Sequence, residues 1–259
     1  MALVRVEDDR GIRTITLNRP EKRNALTPEL QEELIAALEG AEDAGARVVL
    51  IAGEGEAFCA GLDLGVLRDM AGKSAEEHRA EAVRTAKMFR AVWECDLPTI
   101  AAVQGPAIAG GTGLATMCDF TIAAPEARFG YTEVRIGFVP ALVSAYLVVQ
   151  VGEKVARELL LSARIFDAEE ARRLGLVTEI VPREALRARV SELAVELMRN
   201  SPEGMGATKR LLRAQQLGWM ETALELAMDA NAEGRQTADF REGVASFLEK
   251  RKPVWKGAK

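Results

Sequence analysis

Two short loops of small residues, each following an apolar run, are where this sequence could do chemistry. The first is Ala57-Phe58-Cys59-Ala60-Gly61-Leu62-Asp63-Leu64, just after Val48-Val49-Leu50-Ile51-Ala52. The second is Gly105-Pro106-Ala107-Ile108-Ala109-Gly110-Gly111-Thr112-Gly113, just after Thr99-Ile100-Ala101-Ala102-Val103. A strand, then small residues, then a helix leaves backbone N–H groups pointing out of a sheet edge. Two such loops can aim two N–H donors at one oxygen, which is the arrangement that stabilises an oxyanion. Glycine suits those positions because a side chain would block approach to the backbone.

Other chemistries fit less well. A Cys59 thiolate needs a basic partner, and the chain has one histidine. That residue, His78, lies in the polar stretch Ala75-Glu76-Glu77-His78-Arg79-Ala80-Glu81, which reads as a solvated helix face. The same scarcity argues against a Ser-His-Asp triad and a histidine-based metal site, so no metal is expected. Gly72-Lys73-Ser74 imitates the end of a P-loop, but Leu67 stands where that loop needs glycine. Gly111-Thr112-Gly113 imitates a dinucleotide fingerprint, but Thr116 replaces its third glycine.

The whole chain, 259 residues at 48% hydrophobic, allows a large core in one or two domains. With 34 basic against 39 acidic residues the net charge is -5, which leaves no basic footprint for nucleic acid or an anionic membrane. No apolar stretch approaches the ~20 residues that span a bilayer. The start Met1-Ala2-Leu3-Val4-Arg5-Val6-Glu7 turns acidic too soon for a signal peptide. Cys59, Cys95 and Cys118 are odd in number and lack metal-ligand spacing, which points to a reducing cytoplasm.

The elements that must position the loops follow from periodicity and punctuation. Residues 3–7 and 13–17 read as a hairpin around Asp8-Asp9-Arg10-Gly11. Thr27-Pro28 reads as an N-cap and first helical residue, with Leu30, Leu34, Ile35 and Leu38 on one apolar face and Gly40 or Gly45 at the end. A mobile stretch is expected over 71–74, then a long helix over 75–93 and a strand over 120–123. This strand–helix rhythm predicts parallel strands joined by right-handed crossovers. Beyond Glu133 helical spacing dominates, over 155–162, 167–174, 182–200, 207–216 and 221–233, with one edge strand in 176–181. The end, 240–255, mixes Phe247, Leu248 and Trp255 with Lys250, Arg251 and Lys252.

The two loops belong to a longer ordered set of motifs: Arg23-Asn24-Ala25-Leu26, residues 57–64, residues 105–119, Ala127-Arg128-Phe129-Gly130-Tyr131-Thr132-Glu133, residues 168–177, and Phe247-Leu248-Glu249-Lys250-Arg251. In this order and spacing the chain resembles the crotonase, or enoyl-CoA hydratase/isomerase, superfamily over essentially its full length, closest to bacterial enoyl-CoA hydratase and methylglutaconyl-CoA hydratase-like members. The resemblance implies an α/β fold. Residues 1–200 would form a ββα spiral core with the coenzyme A and acyl site, and residues 201–259 a helical C-terminal trimerisation region. It implies an acyl-CoA thioester substrate, no cofactor beyond that coenzyme A, and a homotrimer or dimer of trimers.

The resemblance also assigns roles. The N–H groups of Ala60 and Gly110 become the oxyanion donors. Coenzyme A runs along Arg23, Ala25 and Leu26 and along Ala60, Gly61, Leu62, Asp63 and Leu64, with a helix cap as the plainer role for Asp63. Phe247 and Lys250 fall in a segment that can reach a neighbouring subunit's coenzyme site. Glu133 becomes the acid/base, its pKa raised by burial among Phe129, Ile136, Phe138 and Val139. The alternative for Glu133 is a surface ion pair with Arg135 or Arg128. The pocket residues Leu67, Met70, Phe138 and Leu142 are apolar and favour a hydrocarbon acyl group.

The chain departs from the family at Gly113, where well-known hydratases carry a second glutamate. Hydration through Glu133 alone remains the leading expectation, since syn addition lets one carboxyl take a proton from water and return one to carbon. Double-bond isomerisation by Glu133 alone, methylglutaconyl-CoA hydration, and a non-catalytic binding protein are the alternatives.

Overall fold

In a computed structural model, which describes residues 2–70 and 72–256, the opening hairpin pairs β1 (Val4–Asp9) antiparallel with β2 (Ile12–Leu17), Val4 facing Leu17. From β2 onward the main sheet is parallel, through β3 (Val48–Gly53), β4 (Thr99–Val103), β6 (Phe120–Ala123) and the edge strand β9 (Glu179–Ile180). A small second sheet joins β5 (Ala107–Ile108), β7 (Arg128–Gly130) and β8 (Phe166–Asp167). The parallel strands are buried on both faces. Val49, Ile51, Ala101 and Val103 point into the main core, while Val48, Leu50, Ile100 and Ala102 pack under a second layer. Leu186, Val190 and Ala194 of α7 (Arg183–Leu197) supply that layer.

The helices follow from their caps and apolar faces. The Thr27 side chain accepts the Leu30 N–H and starts α1 (Pro28–Glu39), whose Leu30, Leu34, Ile35 and Leu38 are buried as their spacing predicts. Short α2 (Leu64–Met70) follows the first loop. Of the stretch expected to be mobile, Ala71 lies outside the described residues. Ser74 forms a reciprocal capping box with Glu77 and opens α3 (Ala75–Trp93). The second loop leads into α4 (Gly110–Thr116). Beyond Glu133 come α5 (Ala141–Ser162), broken at Gly152, then α6 (Ala168–Arg173), α8 (Pro202–Ala214), α9 (Leu217–Gly234) and α10 (Ala238–Leu248). Helix α5 starts well before the expected residue 155, its first half being an almost unbroken apolar run with little periodicity to read.

One expectation about α3 is overturned. It packs against α1 on one side and α9 on the other, so His78 is buried rather than solvated. The C-terminal helices also join the core, since Met220, Leu224, Ala227 and Met228 of α9 share the main apolar cluster.

Candidate active site

The two small-residue loops are stitched together. Phe58 N–H donates to the Pro106 carbonyl at 3.0 Å, and Ile108 N–H to the Cys59 carbonyl at 2.9 Å. The Asn24 amide holds the start of the first loop by donating to the Glu54 and Ala57 carbonyls at 2.9 and 2.8 Å. Two glycines allow this closeness. A Cβ on Gly111 would overlap the Cys59 carbonyl oxygen, and one on Gly61, at φ 82°, would lie 2.9 Å from the Ile108 carbonyl oxygen and 3.7 Å from Gly110 N.

Hydrogen bonding then decides which N–H groups remain available. Ala60 N–H donates to the Arg23 carbonyl at 3.0 Å, so the donor expected at Ala60 is already engaged. Leu26 N–H donates to Gly61 O at 2.7 Å and Asp63 N–H to Leu26 O at 3.0 Å, a short parallel bridge between residues 26 and 62. Successive N–H groups along an extended segment point to opposite sides. Leu62 N–H therefore points away from that bridge, and it has no acceptor among the described residues. Gly110 N–H has none either, as a first-turn N–H of α4, where the ladder begins only with Gly113 N–H donating to the Ala109 carbonyl. Gly111 and Thr112, in the same turn, have no acceptor among the described residues either, so position and not hydrogen bonding alone singles out Leu62 and Gly110.

Both border a cavity of about 410 Å³ that also reaches Leu26, Ala60, Leu64 and Glu133. Glu133 opens a 3-10 turn, Glu133–Ile136, whose fold is fixed by Phe138 N–H donating to the Glu133 carbonyl at 3.1 Å. Its side chain is buried, and its Oε2 has no hydrogen-bond partner. Burial raises the carboxyl pKa to about 7. Ile136, Phe138 and Val139 line the same cavity, whereas Phe129 stacks on Phe166 instead. The surface ion pair considered for Glu133 is absent among the described residues: Arg128 donates to the Pro125 and Ala127 carbonyls, and Arg135 makes no bridge to it.

The remaining predicted residues separate. Arg23 is exposed and serves the first loop through its carbonyl. The Ala25 carbonyl accepts from Arg19 Nη1 at 2.6 Å. Asp63 holds Arg19 Nη2 at 3.0 Å and accepts the Gly65 N–H at 2.7 Å, which is the cap reading. Phe247 lines the cavity and Lys250 does not. Cys59 is fully buried, and burial pushes its thiol up to about 12, leaving no thiolate near neutral pH.

At Gly113 a Cβ would stand 2.7 Å from Val143 Cγ1 and 3.4 Å from Phe89 Cε1. Hydrocarbon therefore crowds even the first side-chain carbon at the position where the resemblance implies a second glutamate. Leu67 and Leu142 line the cavity as expected, and Met70 packs beside Leu67 and Phe240. The wall is not wholly apolar, however, since Gln31, Thr85, Asn231 and Arg235 also border it. Nothing in their local sequence marks them, because they come from α1, α3 and the end of α9 and meet only in the fold. Among the described residues no group of three or more His, Cys, Asp or Glu side chains is placed to hold a metal ion, and no helix is long and apolar enough to cross a membrane.

Residues 7–258 match the family model described as "Enoyl-CoA hydratase/isomerase". A protein named "Putative enoyl-CoA hydratase" from Thermus thermophilus is 44% identical over 250 residues, which cover 96% of this chain and 99% of that protein. Among solved structures, an enoyl-CoA hydratase from Mycobacterium avium is 35% identical with a TM-score of 0.86, covering 99% of this chain and 100% of that one. An enoyl-CoA hydratase/isomerase from Xanthobacter autotrophicus Py2 is 34% identical with a TM-score of 0.87, covering 96% and 97%. Full-length agreement in sequence and backbone leaves one assignment: the chain belongs to the enoyl-CoA hydratase/isomerase family of the crotonase superfamily.

Proposed function

We propose that this protein adds water across the 2,3 double bond of an enoyl-CoA thioester, with Glu133 as its single acid/base. The observation that carries this reading is one cavity holding two free backbone donors and a buried carboxyl with an unpartnered oxygen. The thioester oxygen accepts from Leu62 N–H and Gly110 N–H, each worth ~3 kcal/mol as the enolate forms. Gly110 adds the favourable end of α4. Glu133 takes a proton from water as oxygen attacks the β-carbon, then delivers a proton to the α-carbon on the same face. A carboxyl with a pKa of about 7 can do both near neutral pH. Coenzyme A lies along residues 23–26 and 60–64, with Asp63 holding the loop and no cofactor added.

The assay is loss of the conjugated enoyl-thioester absorbance from crotonyl-CoA, run beside Glu133→Gln. Turnover in the parent and its loss in the variant support hydration. The hydrocarbon at Gly113 and Val143 favours a second reading, isomerisation, because no second carboxylate helps to hold water. That reading replaces the first if crotonyl-CoA is inert while a 3-enoyl-CoA gains the conjugated absorbance. Inertness towards both sinks catalysis on simple enoyl thioesters. Exposed Leu211, Leu212, Leu217, Trp219 and Leu226 in the 201–259 region support a trimer or paired trimers, which sedimentation velocity tests. The three free cysteines fit a reducing cytoplasm.

A further inference from the structure

A guanidinium outside the cavity stands at the head of a hydrogen-bond chain that ends on Leu62 N–H. Arg19 precedes the turn Pro20–Lys22, and Asn24 clamps it from both sides. Arg19 N–H donates to Asn24 Oδ1 at 2.9 Å, and Asn24 N–H donates to the Arg19 carbonyl at 2.9 Å. From this fixed root the side chain spans the bridge between residues 26 and 62. Its Nη1 donates to the Ala25 carbonyl at 2.6 Å and its Nη2 to Asp63 Oδ2 at 3.0 Å. The Arg19 and Asp63 side chains are only 14% and 15% exposed, so water does little to loosen the fork.

The carbonyl of one residue and the N–H of the next belong to one planar peptide and point in opposite directions. Two such peptides lie in series here. The Ala25 carbonyl accepts from Arg19, and on the other side of the same peptide Leu26 N–H donates to the Gly61 carbonyl at 2.7 Å. That carbonyl shares its peptide with Leu62 N–H, which faces away from the bridge. Pull on the Ala25 carbonyl therefore passes through both peptides to Leu62 N–H, because bonds in series polarise one another. The ion pair with Asp63 is a separate contact, made by the other nitrogen of the fork. The Gly110 donor has no such cation behind it: the carbonyl of its peptide, that of Ala109, accepts Gly113 N–H at 3.2 Å.

We propose that Arg19 is a positioning residue for the thioester oxyanion, aiming and polarising Leu62 N–H through the Ala25–Leu26 and Gly61–Leu62 peptides. The proposal rests on the reading of Leu62 N–H as an oxyanion donor. Arg19 touches no substrate atom in this role. Its charge is matched by Asp63 within the loop, which makes it a brace rather than an anchor for a phosphate.

The test reads the thioester carbonyl directly, with the full-length protein and butyryl-CoA, which is saturated and is not turned over. Infrared difference spectra of butyryl-CoA labelled isotopically at the carbonyl carbon report the hydrogen bonds that this carbonyl accepts. The parent should lower the stretch relative to free butyryl-CoA, and Arg19→Met should return it part of the way. In the same variant kcat on crotonyl-CoA should fall roughly 10- to 100-fold, while affinity for free coenzyme A holds within about 3-fold. If Arg19→Met fails to fold, Arg19→Lys takes its place, since its ammonium follows the carboxylate and leaves the Ala25 carbonyl. Asp63→Asn removes the ion pair but leaves the Arg19–Ala25 bond, so it should keep more of the lowered stretch than either Arg19 variant. An unchanged stretch in the folded Arg19 variant overturns the proposal. An equal loss in Asp63→Asn overturns it too, because the ion pair and not the peptide chain would then be the cause. A parent that leaves the stretch unlowered sinks the oxyanion reading and this proposal with it. A lowered stretch that responds to Arg19, without turnover of crotonyl-CoA, sinks the hydratase reading alone.

Discussion

Glu133→Gln should stabilise the folded protein above pH 7 while removing its proton chemistry. Burial moves the Glu133 carboxyl from 4.5 to about 7. At 1.36 kcal/mol per pH unit, keeping it ionised in the folded state costs about 3 kcal/mol. Between these two values the folded protein holds a proton that the unfolded chain has lost. Stability from this group is therefore complete below 4.5 and falls as pH rises through 7. Glutamine matches the neutral acid in size and cannot ionise, so the variant escapes that loss. The stability gap between variant and parent should widen by about 2–3 kcal/mol from pH 5 to pH 8. Other titrating groups are common to both proteins and cancel in the difference. Urea unfolding followed by the fluorescence of the three tryptophans, at fixed protein concentration, measures the gap. A gap flat to within ~0.5 kcal/mol across that range would refute a buried, proton-sharing Glu133. Activity should move the other way, falling by about 10² to 10⁴ in the variant, while the parent's rate profile breaks near pH 7.

Three further outcomes follow from contacts around the site. Gly113→Ala places a methyl 2.7 Å from Val143 Cγ1 and should cost about 1–3 kcal/mol in thermal or urea unfolding, partly recovered by Val143→Ala in the same chain. Asp63→Ala removes both the Arg19 pair and the Gly65 N–H cap; a loss of about 1–3 kcal/mol is expected, and a change below ~0.3 kcal/mol would show that these contacts do not hold the loop. Iodoacetamide at pH 8 should leave activity intact, because the Cys59 thiol is buried with its pKa pushed up to about 12; mass spectrometry should find Cys59 alkylated only after unfolding.

Much of the fold was legible because local chemistry and global packing agree. Thr27-Pro28 starts α1, and the unbroken apolar runs of β3 and β4 suit strands covered on both faces. The length of α3, Ala75–Trp93, also matches its periodicity. His78 misled because a polar stretch says nothing about a helix from a distant part of the chain, and α9 covers that face of α3. Gly113 was legible as a departure from the family, but its meaning was not. Only the approach of Val143 and Phe89 shows that hydrocarbon crowds the first carbon of any side chain there.

The site was legible to the level of loops and then failed at the level of single atoms. Ala60 and Leu62 lie in one small-residue loop, and composition cannot rank their N–H groups. The choice is made by the Arg23 carbonyl, which arrives from the turn before α1 and engages Ala60 N–H, and by the bridge to Leu26, which turns Leu62 N–H the other way. The same limit hid the polar wall. Asn231 and Arg235 look like ordinary helix polar residues until α9 is laid against α3, where Glu81 and the cavity meet them. Local sequence thus names the loops that can build an oxyanion site. In the proposed site, long-range hydrogen bonds choose the donor, and helix docking decides which side chains border the far wall. Leu62 is consequently a position where a side chain can change while its N–H remains, so Leu62→Ala should keep most of the turnover. Leu62→Pro, which deletes that donor, should lower kcat by about 10² or more. Equal activity in the two variants, both checked as folded, would return the donor's role to another residue of the loop.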